Sequence, residues 1–140
     1  MIWNPLAEQA DQKEREKLQL KNLQLLVRRV YDKVPFYHAK FDKSGIKPED
    51  IRPLSDIKYL PFTTKSELRE TYPLEHLAVP RKDIVEIHAS SGTTGIPVID
   101  AYTKNDLDNW AEGMARILAM EGATSDDVMQ NAYGYGMFTG

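Results

Sequence analysis

The chain has 140 residues, 41% of them hydrophobic, which is enough for about one domain with its own core. Lysine and arginine number 18 and aspartate and glutamate 21, so the net charge of −3 argues against nucleic acid as the main partner. The absence of cysteine excludes disulfides and thiolate metal sites. Neither a signal peptide nor an apolar run long enough to cross a bilayer is recognisable, so we expect a cytoplasmic protein without membrane contact.

The N-terminal half is dominated by helical patterns. Apolar residues recur at three- and four-residue spacing from about 11 to 33, which predicts an amphipathic helix. Pro35 is expected to break that helix, and Ser44-Gly45 to end a second helix over about 36–43. The apolar stripe of the first helix consists of Leu20, Leu23, Leu26, Val27, Val30, Tyr31 and Val34.

Shorter elements follow in the next thirty residues. Ser55 and Asp56 are predicted to cap a single turn that ends at Leu60. Thr64 and Glu67 have the spacing of a capping box, in which each residue satisfies a backbone N–H of the other, and this predicts a helix opening there.

Two β-rich runs, 84–89 and 97–102, predict a hairpin. The loop between them is rich in glycine and hydroxyls and contains Ser90, Ser91, Gly92, Thr93, Thr94 and Gly95. Glycines let backbone N–H groups approach an anion, and hydroxyls add further donors, so such a loop can bind a phosphate. An ordinary turn is the alternative for a generic loop of this composition. It is not a Walker A loop, because no Gly-Lys-Ser/Thr follows Gly95.

His88 lies at the end of the first β-rich run, next to that loop. It is a candidate for two roles, a strand residue with a local hydrogen bond or a general base. A lone histidine without a recognisable partner residue favours the first role.

A second long helix is predicted over 104–121, capped by Thr103 and ended by Gly122. The stripe expected to be buried consists of Leu107, Trp110, Ala111, Met114, Ile117 and Leu118. A third strand is predicted over 128–133. The glycine-rich tail has the spacing Gly-x-Gly-x-x-x-Gly, and no helix is predicted after it. A dinucleotide-binding motif needs such a helix, so the pattern favours a glycine-rich wall beside an aromatic pocket over a dinucleotide site.

Several of these motifs together resemble one enzyme family. The order Ser-Ser-Gly-Thr-Thr-Gly-x-Pro after an apolar strand is similar to the phosphate-binding signature of adenylate-forming enzymes. Within that superfamily the chain resembles phenylacetate–CoA ligases, through segments at 34–37, 60–65, 72–73, 78–81, 87–95 and 132–140.

The resemblance implies an α/β fold. It implies a helical N-terminal section over 1–80 and, over 81–140, the start of the large AMP-binding domain that carries the phosphate loop. The mixed sheet of that domain would be incomplete here, with exposed strand edges.

The resemblance also implies a two-step reaction that uses ATP, Mg²⁺ and coenzyme A. An aryl carboxylate, typically phenylacetate, would be converted to an acyl-adenylate and then to the CoA thioester. Residues 90–95 would bind the phosphates. The aryl-acid pocket would be lined by Tyr133, Gly134, Tyr135, Gly136 and Phe138. No catalytic and no metal-binding residue is expected in this portion.

Two departures from the family pattern affect these expectations. Ile96 stands where the family usually has lysine, which should weaken ATP binding but leave the backbone cradle intact. Family members are also much longer, so we expect an N-terminal fragment that is inactive alone. The alternative is a truncated, non-catalytic paralogue that acts as an interaction or dimerisation module. A homodimer and a ligase for another carboxylate stay open.

Overall fold

The structure, a computed structural model, describes residues 1–90, 95–134 and 136. Over these residues no helix combines the length and the apolar character needed to pass through a membrane. The α-helices are α1 (Pro5–Glu8), α2 (Gln12–Lys33), α3 (Pro35–Lys43), α4 (Lys65–Glu70) and α5 (Lys104–Met120). The strands are β1 (Ile84–Ala89) and β2 (Ile99–Thr103), and 3₁₀ turns lie at Pro48–Asp50, Leu54–Tyr59 and Arg81–Asp83.

Helix α2 confirms the prediction for 11–33. It begins after Asp11, whose carboxylate accepts the Glu14 N–H at 2.8 Å, while the Glu14 carboxylate accepts the Asp11 N–H at 3.4 Å. At the other end Val34 is extended, with φ −119° and ψ 103°, because a following proline disfavours helical geometry. The chain turns there and α3 begins at Pro35.

The core lies between α2, α3 and the segment after α3. Its buried members are Val27, Phe41 and Ile51, and partly buried side chains pack around them: Leu23, Val30, Tyr31, Tyr37 and Leu60. Within the apolar stripe the packing is uneven, since Leu26 is 56% exposed whereas Val27 is 2% exposed. Adjacent helical residues differ by about 100° around the axis, and α3 covers only the side of α2 that carries Val27.

One of the two short caps was predicted correctly. Thr64 and Glu67 form the capping box of α4, with the Thr64 N–H donating to the Glu67 carboxylate at 2.7 Å. The prediction for Ser55 and Asp56 is wrong, because both lie inside the 3₁₀ turn that follows Pro53. The Asp56 carboxylate instead accepts the N–H of Arg52 at 3.0 Å, which fixes the start of that turn.

The hairpin is confirmed, and its two strands are antiparallel with Ile87 opposite Ala101 and Ala89 opposite Ile99. The second strand begins two residues later than expected. Val98 precedes it and is bonded to the loop residue Ser90. The hairpin therefore holds the loop at its closed end.

Helix α5 has the predicted cap and ending, since Thr103 and Asp106 form a capping box and Gly122 adopts a left-handed φ of 94°. The expectation that its stripe is buried is wrong. Trp110, Met114 and Ile117 are 41%, 45% and 52% exposed, and Ala119 is the buried residue of the helix. A two-stranded hairpin is too narrow to cover a helix of five turns, so one apolar face is uncovered in the described fold.

The third strand, predicted over 128–133, is also wrong. These residues have no regular secondary structure, and Val128 is fully exposed. Before them the Asp127 carboxylate accepts the Thr124 N–H at 2.7 Å and closes a turn. A strand needs a neighbour to pair with, and the described hairpin does not extend to this segment.

The N-terminal arm, residues 1–4, contacts α5. The Trp3 indole N–H and the Asn4 amide each donate to the Glu112 carboxylate at 2.8 Å, and Arg116 donates to it from the next turn at 2.9 Å. These bonds, from Asn4 first and then from Trp3 and Arg116, lower the pKa of Glu112 to about 2. Residues more than 100 positions apart are thereby joined.

Candidate functional site

The connection between β1 and β2 is the candidate site, and its base is closed by two hydrogen bonds. The Ser90 N–H donates to the Val98 carbonyl at 2.9 Å, and the Ser90 hydroxyl accepts the Val98 N–H at 2.9 Å. The amide of Ser90 is thus used within the hairpin. Ser90, one of the predicted phosphate-binding residues, therefore also clamps the base of the loop to Val98.

The far side of the loop has a second constraint. Gly95 has a φ of 121°, a region that L side chains rarely adopt. The next residue, Ile96, precedes Pro97, which favours an extended backbone. The Ile96 carbonyl accepts a hydrogen bond from Nε of Arg69 at 3.0 Å. A side chain of α4 therefore holds this flank of the loop.

Several predicted site residues lie outside the described residues. These are Ser91, Gly92, Thr93 and Thr94 of the loop, and Tyr135 and Phe138 of the tail. Tyr133, Gly134 and Gly136 are described and are exposed. The phosphate-binding role of the loop and the aryl-pocket role of the tail remain predictions.

His88 lies in an aromatic cluster between the hairpin and α5. Its Nε2 is 2.5 Å from the Glu86 carboxylate, and its ring meets Tyr102 edge-on at 5.2 Å and Trp110 at 5.8 Å. Burial, followed by the nearby Asp100 carboxylate, raises the pKa of Tyr102. This arrangement agrees with the first role considered for His88, a strand residue with a local hydrogen bond.

Helix α4 is fixed at both of its ends. Lys40 of α3 lies 2.6 Å from the Glu67 carboxylate, and this bond, together with the capping contacts of Thr64, lowers the pKa of Glu67 to about 2. In the last turn of α4, Arg69 reaches the loop. Sequence reasoning did not single out Arg69, because its partner is 27 residues away and no local pattern marks the contact.

A polar cavity of about 480 Å³ lies beside the hairpin, between α2 and the start of α5. Its lining includes Arg29, His76, Thr103 and Asp106. Burial lowers the pKa of His76, which favours its neutral form, and its Nε2 contacts the Thr71 hydroxyl. Within the described part of the chain, no group of three or more histidine or acidic side chains could hold a metal ion. Within this lining the Thr103 hydroxyl donates to the Asp106 carboxylate at 2.7 Å, a contact that belongs to the capping box of α5.

Comparison with solved structures defines the class of the fold. The chain superposes on 2-hydroxyisobutyryl-CoA ligase in complex with 2-HIB-AMP and CoA, with a TM-score of 0.76 and 31% identity over 84% of this chain and 26% of that one. A postadenylation state of the same ligase gives a TM-score of 0.78 and 28% identity over 87% and 26%. The described fold is that of the N-terminal part of an adenylate-forming CoA ligase, which confirms the predicted fold class.

Comparison with curated proteins narrows the resemblance. The chain is 47% identical over 133 residues to phenylacetate-coenzyme A ligase of Escherichia coli, which is 95% of this chain and 30% of that protein. It is 46% identical over 140 residues to the Thermus thermophilus protein of the same name, which is all of this chain and 32% of that protein. No protein-family model matches the chain. The resemblance to phenylacetate–CoA ligases is confirmed, and the chain spans about a third of the length of these relatives.

Proposed function

We propose that this chain is the N-terminal part of an ATP-dependent ligase that joins an aryl carboxylic acid, phenylacetate, to coenzyme A. The observation that carries the proposal is the 47% identity over 133 residues to a protein named phenylacetate-coenzyme A ligase. The hydroxyl-rich loop between β1 and β2 supports it, because its residue types suit nucleotide phosphates.

The reaction would proceed in two displacements. A carboxylate oxygen of the acid attacks the α-phosphorus of ATP, and pyrophosphate leaves with the electron pair of the broken P–O bond. The thiolate sulfur of coenzyme A then attacks the carbonyl carbon of the acyl-adenylate, and AMP leaves. Both steps depend on placing the reactants in line and on offsetting phosphate charge. Backbone N–H groups and hydroxyls can do both by donating hydrogen bonds to the phosphate oxygens.

The residues of this chain would act by binding. Residues 90–95 would hold the β- and γ-phosphates, and the tail from Tyr133 to Phe138 would line the pocket for the aryl ring. Aromatic contacts of this kind contribute about 0.5–1.5 kcal/mol beyond burial. Mg²⁺ would accompany ATP and offset phosphate charge, and no residue of this chain is assigned to it.

The test is an exchange assay with the full-length product of the gene. Incorporation of labelled pyrophosphate into ATP is measured with Mg²⁺ and a series of acids, followed by AMP release on addition of coenzyme A. We expect exchange that depends on phenylacetate and exceeds that with short aliphatic acids. If the rate of pyrophosphate exchange does not depend on any aryl acid, the substrate assignment is wrong. If no acid supports exchange, the proposed ligase activity is wrong.

A non-catalytic interaction module remains the alternative. The exposed face of α5 does not favour it, because the same face is expected to be exposed when a piece of a ligase domain is taken without the elements that cover it. A chain that is dimeric at nanomolar concentration while the full-length product lacks exchange activity would favour the module.

A further inference from the structure

The contact between Arg69 and Ile96 connects the helical part of the chain to the loop between the strands. Nε of Arg69 donates to the Ile96 carbonyl at 3.0 Å, and the Arg69 side chain is half-buried. Ile96 belongs to the described flank of the loop, residues 95–98, which we call the Gly95–Val98 flank.

Among the residues that the structure describes, regular strand pairing does not extend to Ile96 in this flank. Proline has no N–H, so Pro97 cannot contribute a ladder hydrogen bond, and regular pairing begins only at Ile99. Between Ile96 and the start of β2, the described backbone contact is the pair of hydrogen bonds between Ser90 and Val98. The charged hydrogen bond from Arg69 therefore supplies a constraint that the strands do not.

The loop also lacks charge. Residues 90–98 contain no acidic and no basic side chain. A phosphate-bearing ligand binds more strongly where a cation accompanies backbone N–H donors. The positive charge of a guanidinium is permanent and delocalised over the planar group, so Arg69 keeps its charge beside the loop while its Nε donates to the Ile96 carbonyl.

Helix α4 presents Arg69 from a fixed backbone. Its first turn is held by the capping box of Thr64 and by the Lys40–Glu67 contact of 2.6 Å. At its other end the Thr71 hydroxyl donates to the Glu67 carbonyl at 3.1 Å. Because both ends of α4 are held by these contacts, the backbone that carries Arg69 loses little additional conformational entropy on binding. Arg69 is therefore suited to positioning the loop.

We propose that Arg69 is a positioning residue, which holds the Gly95–Val98 flank in place and supplies the positive charge that the loop lacks toward a phosphate-bearing ligand. The second part of this inference rests on the proposed function. The first part concerns the chain itself and can be tested without any ligand.

The ligand-free test uses amide NMR of the ¹⁵N-labelled chain. Arg69→Gln removes the guanidinium, Arg69→Lys keeps the charge without the fork, and Lys65→Gln removes one positive charge from an exposed site on the same helix. We expect Arg69→Gln to shift the amides of Gly95, Ile96 and Val98 and to speed their hydrogen exchange, and Lys65→Gln to leave them unchanged. A folded Arg69→Gln variant with wild-type signals in this flank would overturn the positioning role.

The second test titrates pyrophosphate into the same three variants and the wild type. We expect binding by Arg69→Gln to be at least about tenfold weaker than wild type, binding by Lys65→Gln to stay within about twofold, and Arg69→Lys to lie between them. If wild type and Arg69→Gln bind pyrophosphate equally, the charge role is wrong and the proposed function stands. If the wild type does not bind pyrophosphate but the flank amides move in Arg69→Gln, the proposed ligand fails for this chain and the positioning role stands.

Discussion

Lys40 and Glu67, which are 27 residues apart, form an ion pair of 2.6 Å that joins α3 to α4. Lys40 is largely buried, its side chain being 14% exposed, and its ammonium also lies 5.1 Å from the centre of the Phe36 ring. The same carboxylate closes the capping box of α4. One acidic side chain therefore both starts a helix and attaches it to the core.

Replacing Lys40 should loosen α4. In Lys40→Met the Glu67 carboxylate keeps its capping contacts but loses its cation, so we expect the midpoint of thermal unfolding to fall by a few degrees. Lys43→Met, on the exposed side of the same helix, is the control and should unfold with the wild type. Because α4 carries Arg69, the amide of Ile96 should also shift in Lys40→Met only. Equal unfolding midpoints for the two variants would contradict this role of the ion pair.

Acid should weaken the attachment of the N-terminal arm. The folded-state pKa of Glu112 is about 2, below its ordinary value of 4.5, so its contribution is complete above pH 4.5 and is lost as the pH falls toward 2. We expect Glu112→Gln to be less stable than wild type at pH 7 and to have a shallower loss of stability between pH 4.5 and 2. Some slope should remain, because the pKa of Glu67 is also about 2.

Thermal unfolding at several pH values measures this effect. Glu70→Gln is the control, since that carboxylate is exposed at the end of α4. It should keep the wild-type pH profile. A wild-type slope in Glu112→Gln would show that the hydrogen bonds from Trp3 and Asn4 do not hold the arm in solution.

Truncation of two neighbouring residues of α2 should lower the free energy of unfolding by very different amounts. Val27→Ala removes two buried methyl groups and leaves a cavity, so we expect a loss of about 2 kcal/mol in the free energy of unfolding. Leu26→Ala removes a larger side chain that is 56% exposed, and we expect a change within about 0.5 kcal/mol. Urea titration followed by circular dichroism measures both. A larger loss for Leu26→Ala would mean that the other face of α2 is covered in solution.

The uncovered face of α5 should bind apolar probes. Met114 and Ile117 are 45% and 52% exposed and lie on one side of the helix with Trp110. We expect Ile117→Glu to reduce the fluorescence of a bound anilinonaphthalene sulfonate dye and any self-association measured by sedimentation, without lowering stability. Asn109→Glu, on another side of the helix, is the matched control. Unchanged dye binding in Ile117→Glu would show that this face is already covered.

Local signals in the sequence were sufficient for most of the elements. The capping boxes that start α4 and α5, the break at Pro35 and the left-handed glycine after α5 each depend on residues within four positions of one another. The hairpin is equally local, because its two strands are separated by a single loop. Such interactions are encoded by neighbouring residue types, so pattern alone predicts them.

Burial and long-range contacts were not predictable in this way. Periodicity shows that α5 has an apolar stripe, but whether Trp110, Met114 and Ile117 are covered depends on what packs against it. The segment 128–133 has the composition of a strand, yet no described neighbour pairs with it. A strand is stabilised by its partner rather than by its own residues, which is why composition overpredicts it.

The amino-acid sequence by itself determined where α2, α4 and α5 begin, where the hairpin turns and which loop has the residue types of a phosphate site. Only the tertiary structure decided that Arg69 reaches Ile96, that Lys40 meets Glu67 and that the N-terminal arm closes on Glu112. The physical reason is separation along the chain, since contacts across 27 to 109 residues depend on how whole elements pack, and a window of neighbouring residues carries no record of that packing.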